Sequence, residues 1–224
     1  MIFADRFEAG RLLGERLQHL KPGKPVVMAL VRGGLPVAYE VAAALDAPLD
    51  IVLVRKIGAP GNPEFAVGAV VDGAHPEIVI NDRVVAYYGI SDDYITHQAA
   101  RELKEIERRR GIYLEGRKRP DLAGRTVIVV DDGIATGTST RAALHALRRQ
   151  KPARLVLAVP VAAADSLRRL ESDADEIVCL DVPEDFGAVG YFYADFAQVE
   201  DAEVIDLLRR AGQRAERPGG VAGG

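Results

Sequence analysis

Residues 127–140, VIVVDDGIATGTST, set two adjacent carboxylates one short loop ahead of a run of hydroxyls and small residues. The charges of Asp131 and Asp132 repel each other, and burial makes the repulsion worse. Such a pair persists where it faces something that wants acceptors, such as sugar hydroxyls or a hydrated cation. A hydroxyl-to-carboxylate hydrogen bond contributes about 1.5–3 kcal/mol. Beyond the pair, Ala135, Thr136, Gly137, Thr138 and Ser139 offer successive backbone N–H groups at the start of a helix, where phosphates bind. Gly137 allows close approach and an unusual backbone angle. Acceptors for a sugar, next to donors for a phosphate, describe a sugar 5-phosphate site. An acidic strand end alone, or a Thr/Ser-capped helix alone, is commonplace; the order of the parts carries the signal.

Two other phosphate-binding patterns fail on spacing. A P-loop needs a lysine after its last glycine, and none follows Gly137. A dinucleotide site needs G-x-G-x-x-G after its first strand, which VRGGLP does not supply.

The elements that would hold these residues can be read around them. Val127 to Val130 is an unalternating branched apolar run, the pattern of a strand buried on both faces. Its carboxyl end carries the acidic pair, where open α/β sheets place their ligands. TRAALHALRRQ continues as a helix with basic residues in its last turn, suited to its dipole. Further strands are expected at VVMALV (26–31), IVLVRK (51–56), ARLVLAVPV (153–161) and DEIVCLDV (175–182). AVGAVVDG and EIVIND form a hairpin about AHP, and IGAPGNPEF reads as a mobile loop. Helices are expected over FADRFEAGRLLGERLQHL, with Phe7, Leu12, Leu13, Leu17 and Leu20 on one face, and from about Pro36 to Leu45. A long charged helix opens on a Ser91 cap, and DAEVIDLLRRA is the last. This alternation argues an α/β fold, a parallel sheet covered by helices on both faces. One domain over 1–212 is expected, with a core at about 24–182, a small hood segment at 183–200 and a flexible tail at 213–224.

Bulk properties narrow the class. With 224 residues, 48% hydrophobic and 28% charged, the chain has ordinary globular composition, and a net charge of −4 disfavours a nucleic-acid partner. ERRRGIY and GRKRP make a basic patch that reads as a solvated helix end before an RNA contact. The lone Cys179 cannot form an internal disulfide, fits a reducing compartment, and reads as a core thiol. No apolar run approaches the roughly 20 residues that cross a bilayer, and the N-terminus lacks a signal-peptide pattern. A cytoplasmic protein with no membrane partner is expected. His19, His75, His97 and His145 show no metal-ligand spacing.

Asp131 to Thr140 resembles the phosphoribosyl-pyrophosphate (PRPP) motif of the type I phosphoribosyltransferases. VRGG resembles that family's pyrophosphate loop, which implies the role for Arg32, Gly33 and Gly34. VRK resembles the basic pair heading its flexible loop, so Arg55 and Lys56 are implied to meet pyrophosphate and act in catalysis. The resemblance implies transfer of ribose 5-phosphate from PRPP to a nitrogenous base with release of pyrophosphate. Asp131 and Asp132 would take the ribose, and residues 135 to 139 the 5-phosphate. Mg²⁺ would be the cofactor, held mainly through the substrate with no protein ligand assigned. IGAPGNPEF would be a lid, and the hood would hold the base, with Phe186 foremost among its aromatics as a stacking candidate. The 6-oxopurine branch carries an aspartate where this chain has Ala135, which disfavours guanine and hypoxanthine. A PRPP-sensing regulator without catalysis, binding RNA or DNA, is the rival reading. A homodimer is compatible with the chain.

Overall fold

A computed structural model describes residues 1–72 and 76–215. The expected hairpin turn with His75, and residues 216–224 of the expected tail, lie outside the described residues. The chain runs α1 (Arg6–Arg16), β1 (Val26–Leu30), α2 (Gly34–Leu45), β2 (Leu49–Val52), β3 (Val54–Ala59), β4 (Asn62–Val71) and β5 (Glu77–Ile80). It continues through α3 (Asp82–Tyr88), α4 (Asp92–Tyr113), β6 (Thr126–Val130) and α5 (Thr138–Arg149). Then come β7 (Arg154–Val161), α6 (Ala164–Leu170), β8 (Glu176–Asp181) and α7 (Asp201–Ala215).

Five parallel strands form the central sheet in the order β2-β1-β6-β7-β8. β6 is its middle strand, pairing Val127 with Val26 on one side and with Leu155 on the other. The branched run of β6 divides by alternation. Ile128 and Val130 enter a core shared with Leu13, Val37 and Leu207 of α1, α2 and α7, whereas Val127 and Val129 enter one shared with Ala143 and Leu147 of α5. Both faces of the sheet are therefore covered, which is why these strands show no polar alternation. Helices are capped by side chains: the Asp5 carboxylate accepts from Glu8 N at 2.7 Å, and the expected Ser91 Oγ from Tyr94 N at 3.3 Å.

The structure corrects the sequence reading in four places. IVLVRK is not one strand: β2 ends at Val52, and beyond the buried Leu53 the chain starts β3 in a separate antiparallel sheet of order β3-β4-β5. An unbroken apolar run cannot show where a chain changes sheets. IGAPGNPEF is not an irregular loop but the tip of the β3–β4 hairpin, turning at Pro60-Gly61 with Gly61 at φ +74°. A Pro-Gly pair supplies the fixed φ and then the positive φ of a tight turn. Leu12 is exposed while Leu13 and Leu17 are buried, so the apolar face of α1 is narrower than expected. Arg117 and Arg119 of the basic patch turn inward: Arg117 donates to Leu208 O and Leu49 O, and Arg119 to Asp50, Asp72 and Ile51 O. The helix α3, capped by the Asn81 side chain, has no counterpart in the sequence reading.

Candidate active site

Asp131 and Asp132 stand at the carboxyl end of the middle strand. The loop after them is tied to the neighbouring strand: Ile134 N donates to Val161 O and Ala163 N to Ile134 O, both at 3.0 Å. Ser166 Oγ on α6 donates to Ala135 O at 2.5 Å. Gly137 caps α5 at φ +76°, a conformation that disfavours a side chain, and an added Cβ there would meet Leu170 at 3.3 Å. The loop is thus a rigid turn whose next residues open a helix, leaving N–H groups without intrahelical partners.

The VRGG segment follows β1, the strand beside β6, and the Val31–Arg32 peptide bond is cis. Its glycines make room for the acidic pair. A Cβ on Gly33 would fall 2.2 Å from Asp132 Oδ2, and one on Gly34 would fall 2.8 Å from Asp131 Cα and from Val130 O. The sequence could not show that these glycines serve the aspartates sterically. Arg32 reaches the start of α7, with Nη1 3.5 Å from Asp201 Oδ1 and 3.8 Å from Glu200 Oε2. Asp201 also accepts from the Tyr113 hydroxyl. Burial, and then this hydrogen bond, push the Tyr113 hydroxyl up to about 12.

Arg6 is the residue that sequence reasoning missed. From α1 its Nε donates to Asp132 Oδ2 at 2.8 Å, and its Nη1 to Ala197 O at 2.8 Å. Its guanidinium lies over the Phe196 ring at 3.8 Å from the centroid. Tyr193 fixes the same aspartate from behind, donating to Asp132 O at 2.6 Å. No local signal could have found Arg6, because 126 residues separate it from Asp132. Burial, and then the neighbouring Asp132 charge, push the Asp131 carboxyl well above the usual carboxylate range, against Arg6 and Lys56. Burial also raises Asp132, but the Arg6 charge and hydrogen bond pull it back. The two carboxyls therefore differ: one is held by an arginine and one is not.

Arg6, Arg32, Gly33, Asp131, Asp132 and Ser139 line a cleft of about 470 Å³, closed on one side by Phe196, Gln198 and Val199. Thr136, Gly137 and Thr138 line a second, larger cleft of about 790 Å³ between the antiparallel sheet and helices α5 and α6. Arg55 and Lys56 alternate along β3. Lys56 shares the face of Val54, which lines the first cleft, and its charge acts on Asp131; Arg55 points the other way, with Nε 2.8 Å from Glu102 Oε2 on α4. Phe186 is not on the cleft wall. It stacks on Phe192, ring centroids 5.4 Å apart, beside a small core of Phe3, Ala9, Val161 and Tyr193, and Phe196 occupies the wall instead. Cys179 is half-buried, and burial raises its thiol to about 11, which fits the core role read for it.

This site lies beyond the carboxyl ends of β1 and β6, where the strand order of the sheet reverses and where open α/β sheets place their ligands. The chain belongs to the phosphoribosyl transferase domain family, whose model matches residues 6–197. It is similar to two Mycobacterium tuberculosis proteins, from strains H37Rv and CDC 1551, each named "Putative phosphoribosyl transferase". Identity is 43% over 210 residues, covering 94% of this chain and 47% of each relative, so the chain spans about half their length. A solved structure of TT1426 from Thermus thermophilus superposes with a TM-score of 0.81 at 46% identity, covering 94% of this chain and 99% of that one. No helix among the described residues is long and apolar enough to cross a membrane.

Proposed function

We propose that the protein transfers ribose 5-phosphate from PRPP to a nitrogenous base, releasing pyrophosphate, with Mg²⁺ as cofactor. One observation carries this reading. An acidic pair and a glycine-lined loop with an arginine share one cleft at the ends of two adjacent strands, and the phosphate-type loop reaches it through Ser139 while Thr136 to Thr138 line the second cleft. Asp131 and Asp132 would accept from ribose hydroxyls, while the N–H groups of residues 135 to 139 hold the 5-phosphate. Arg32, the N–H groups about Gly33 and Gly34, and Lys56 would meet the pyrophosphate; Arg55 joins them by exchanging Glu102 for the ligand. The carboxylate oxygens at the cleft are hard donors that fit Mg²⁺ arriving on the pyrophosphate, with Asp131 the one not engaged by arginine. When bound, Mg²⁺ supplies neutralisation of charge on the leaving pyrophosphate.

The transition state of such a transfer resembles the oxocarbenium ion of glycoside cleavage. Positioning and exclusion of water then dominate catalysis, and the hairpin turning at Pro60-Gly61 would close over the cleft as a lid. Phe196 supports the acceptor base on the hood side. Ala135 brings no carboxylate to the loop, and none of Asp181, Glu184 and Asp185 lines the cleft. Hypoxanthine and guanine are therefore expected to be poor acceptors. Steady-state kinetics over adenine, orotate, uracil, hypoxanthine, guanine and xanthine, with and without Mg²⁺, tests both points by pyrophosphate release. The highest kcat/KM on hypoxanthine or guanine would overturn the assignment from Ala135. PRPP binding with no turnover on any base would turn the reading to a regulator.

A further inference from the structure

Resting on the sugar-phosphate reading of this site, we infer that Arg6 is a ligand-binding residue, forming with Asp132 a donor–acceptor pair that grips one ribose hydroxyl. A hydroxyl carries one donor and two acceptor lone pairs, whereas ionised carboxylates only accept. Two aspartates alone would satisfy the hydroxyl's proton and leave its lone pairs unpaired inside a protein cleft. Arg6 corrects this. Its Nε is given to Asp132 and its Nη1 to Ala197 O, and its Nη2 has no hydrogen-bond partner among the described residues. The Arg6 side chain is only 10% exposed and yet lines the cleft, which leaves Nη2 as the guanidinium nitrogen available to a ligand there.

Three contacts also hold the guanidinium in place. Phe196 under the guanidinium face and Ala197 O at its end hold the plane, and Nε on Asp132 sets its rotation. A planar fork held at three points is preorganised, so little rotamer freedom is lost when the hydroxyl arrives. Gly33 completes the arrangement, since a Cβ there would displace the very oxygen, Asp132 Oδ2, that Arg6 holds. The hydroxyl donates to Asp132 and accepts from Arg6 Nη2.

The test uses calorimetry with two probes, ribose 5-phosphate and inorganic phosphate, on the whole chain and on Arg6→Ala and Arg6→Lys, with circular dichroism to confirm folding. Arg6→Ala is expected to lose about tenfold or more in ribose 5-phosphate affinity, the effect of one charged hydrogen bond, and to keep the phosphate affinity. Arg6→Lys, a point charge without the fork, is expected to recover only part of the loss. Unchanged ribose 5-phosphate affinity in Arg6→Ala, equal loss of both probes, or full recovery in Arg6→Lys would each overturn the inference while leaving the proposed function standing. Should Arg6→Ala not fold, Arg6→Lys decides between partial and full retention. If the unaltered chain bound inorganic phosphate but not ribose 5-phosphate, the sugar-phosphate reading itself would fall, and this inference with it.

Discussion

Among the described residues, a pair of aspartates stands beside an arginine at two places that are built to opposite ends. At Asp50 and Asp72 the arginine is Arg119, whose Nε lies 2.8 Å from Asp50 Oδ2 and whose Nη1 lies 2.9 Å from Asp72 Oδ2. Its Nη2 donates to Ile51 O at 2.8 Å, so every edge of the guanidinium is used. At Asp131 and Asp132 the arginine is Arg6, which holds only Asp132 and leaves Asp131 without a cation in contact. The first cluster joins the start of the antiparallel sheet to the edge of the central one, and there the arginine spans both aspartates, although Asp72 Oδ1 is buried without a hydrogen-bond partner. The second opens on a cleft. In the first the arginine bridges the pair; in the second it holds one aspartate and leaves the other without it.

Breaking the Arg119 cluster is expected to have the larger effect on folding. Asp72 and Asp50 have side chains 0% and 4% exposed, so removing Arg119 strands two buried carboxylates. Arg119→Ala should cost about 3–5 kcal/mol in denaturant unfolding, the usual penalty for taking one partner from a buried pair. Arg110, 3.7 Å from Asp72 Oδ1, is too far to replace it. A loss below about 1 kcal/mol would show that water reaches the aspartates, and would erase the contrast with Asp131 and Asp132.

At Asp131 and Asp132 the expected change in folding has the other sign. Burial and Asp132 raise the Asp131 carboxyl above its unfolded value, so protonation favours the folded chain. The stability from this group is fully present below the usual carboxylate range and is lost as pH rises through the raised value. Asp131→Asn should remove that decline, leaving the variant more stable than the native chain at neutral pH and no more stable in acid. The same change should weaken ribose 5-phosphate binding by about 1.5–3 kcal/mol, one charged hydrogen bond. Thermal unfolding across pH, with calorimetry on ribose 5-phosphate, reads both effects. A variant that is less stable at neutral pH with unchanged affinity would make Asp131 a structural residue like Asp72.

The contrast also explains what could be read from the chain. Parallel strands buried on both faces leave unalternating apolar runs, so β1, β6, β7 and β8 and the strand–acid–loop–helix order at 127–149 were legible. Arg32 and Gly33 were singled out by the resemblance of VRGG to a pyrophosphate loop, and the fold brings both to the cleft beside the acidic pair. What stayed hidden depends on distant contacts. Nothing in the residues around Arg6 or Arg119 tells them apart, and only the fold brings one to a cleft by Asp132 and the other to a buried joint. The antiparallel sheet was half-hidden because Gly58 falls at a shift in strand register and Pro60-Gly61 is the turn, so residues that break elements elsewhere build one here. Phe186 was ranked ahead of Phe196 in a stretch rich in aromatics, but stacking on Phe192 and facing the cleft leave the same residue type, and Phe196 is the one on the cleft.

A third arginine–carboxylate cluster tests whether exposure, and not charge pairing itself, decides these effects. On α4 Glu105 accepts from Arg108 Nε at 2.8 Å and from Arg109 Nε at 2.6 Å, and these hydrogen bonds lower its carboxyl to about 2. The lowered value means its contribution is present above the unfolded value near 4.5 and lost as pH falls toward 2. The cluster resembles the Arg119 joint in its number of contacts, yet the Arg108 side chain is 51% exposed and water screens the pair. Helical pairs of this kind contribute about 0.3–0.5 kcal/mol each, far below what a shift of that size suggests for a buried group. Glu105→Gln should therefore cost less than about 1 kcal/mol at neutral pH, and the cost should shrink further in high salt. Urea unfolding at two ionic strengths measures it. A loss approaching that of Arg119→Ala, insensitive to salt, would mean that contact number outweighs burial, and that the asymmetry between the two aspartate pairs needs another cause.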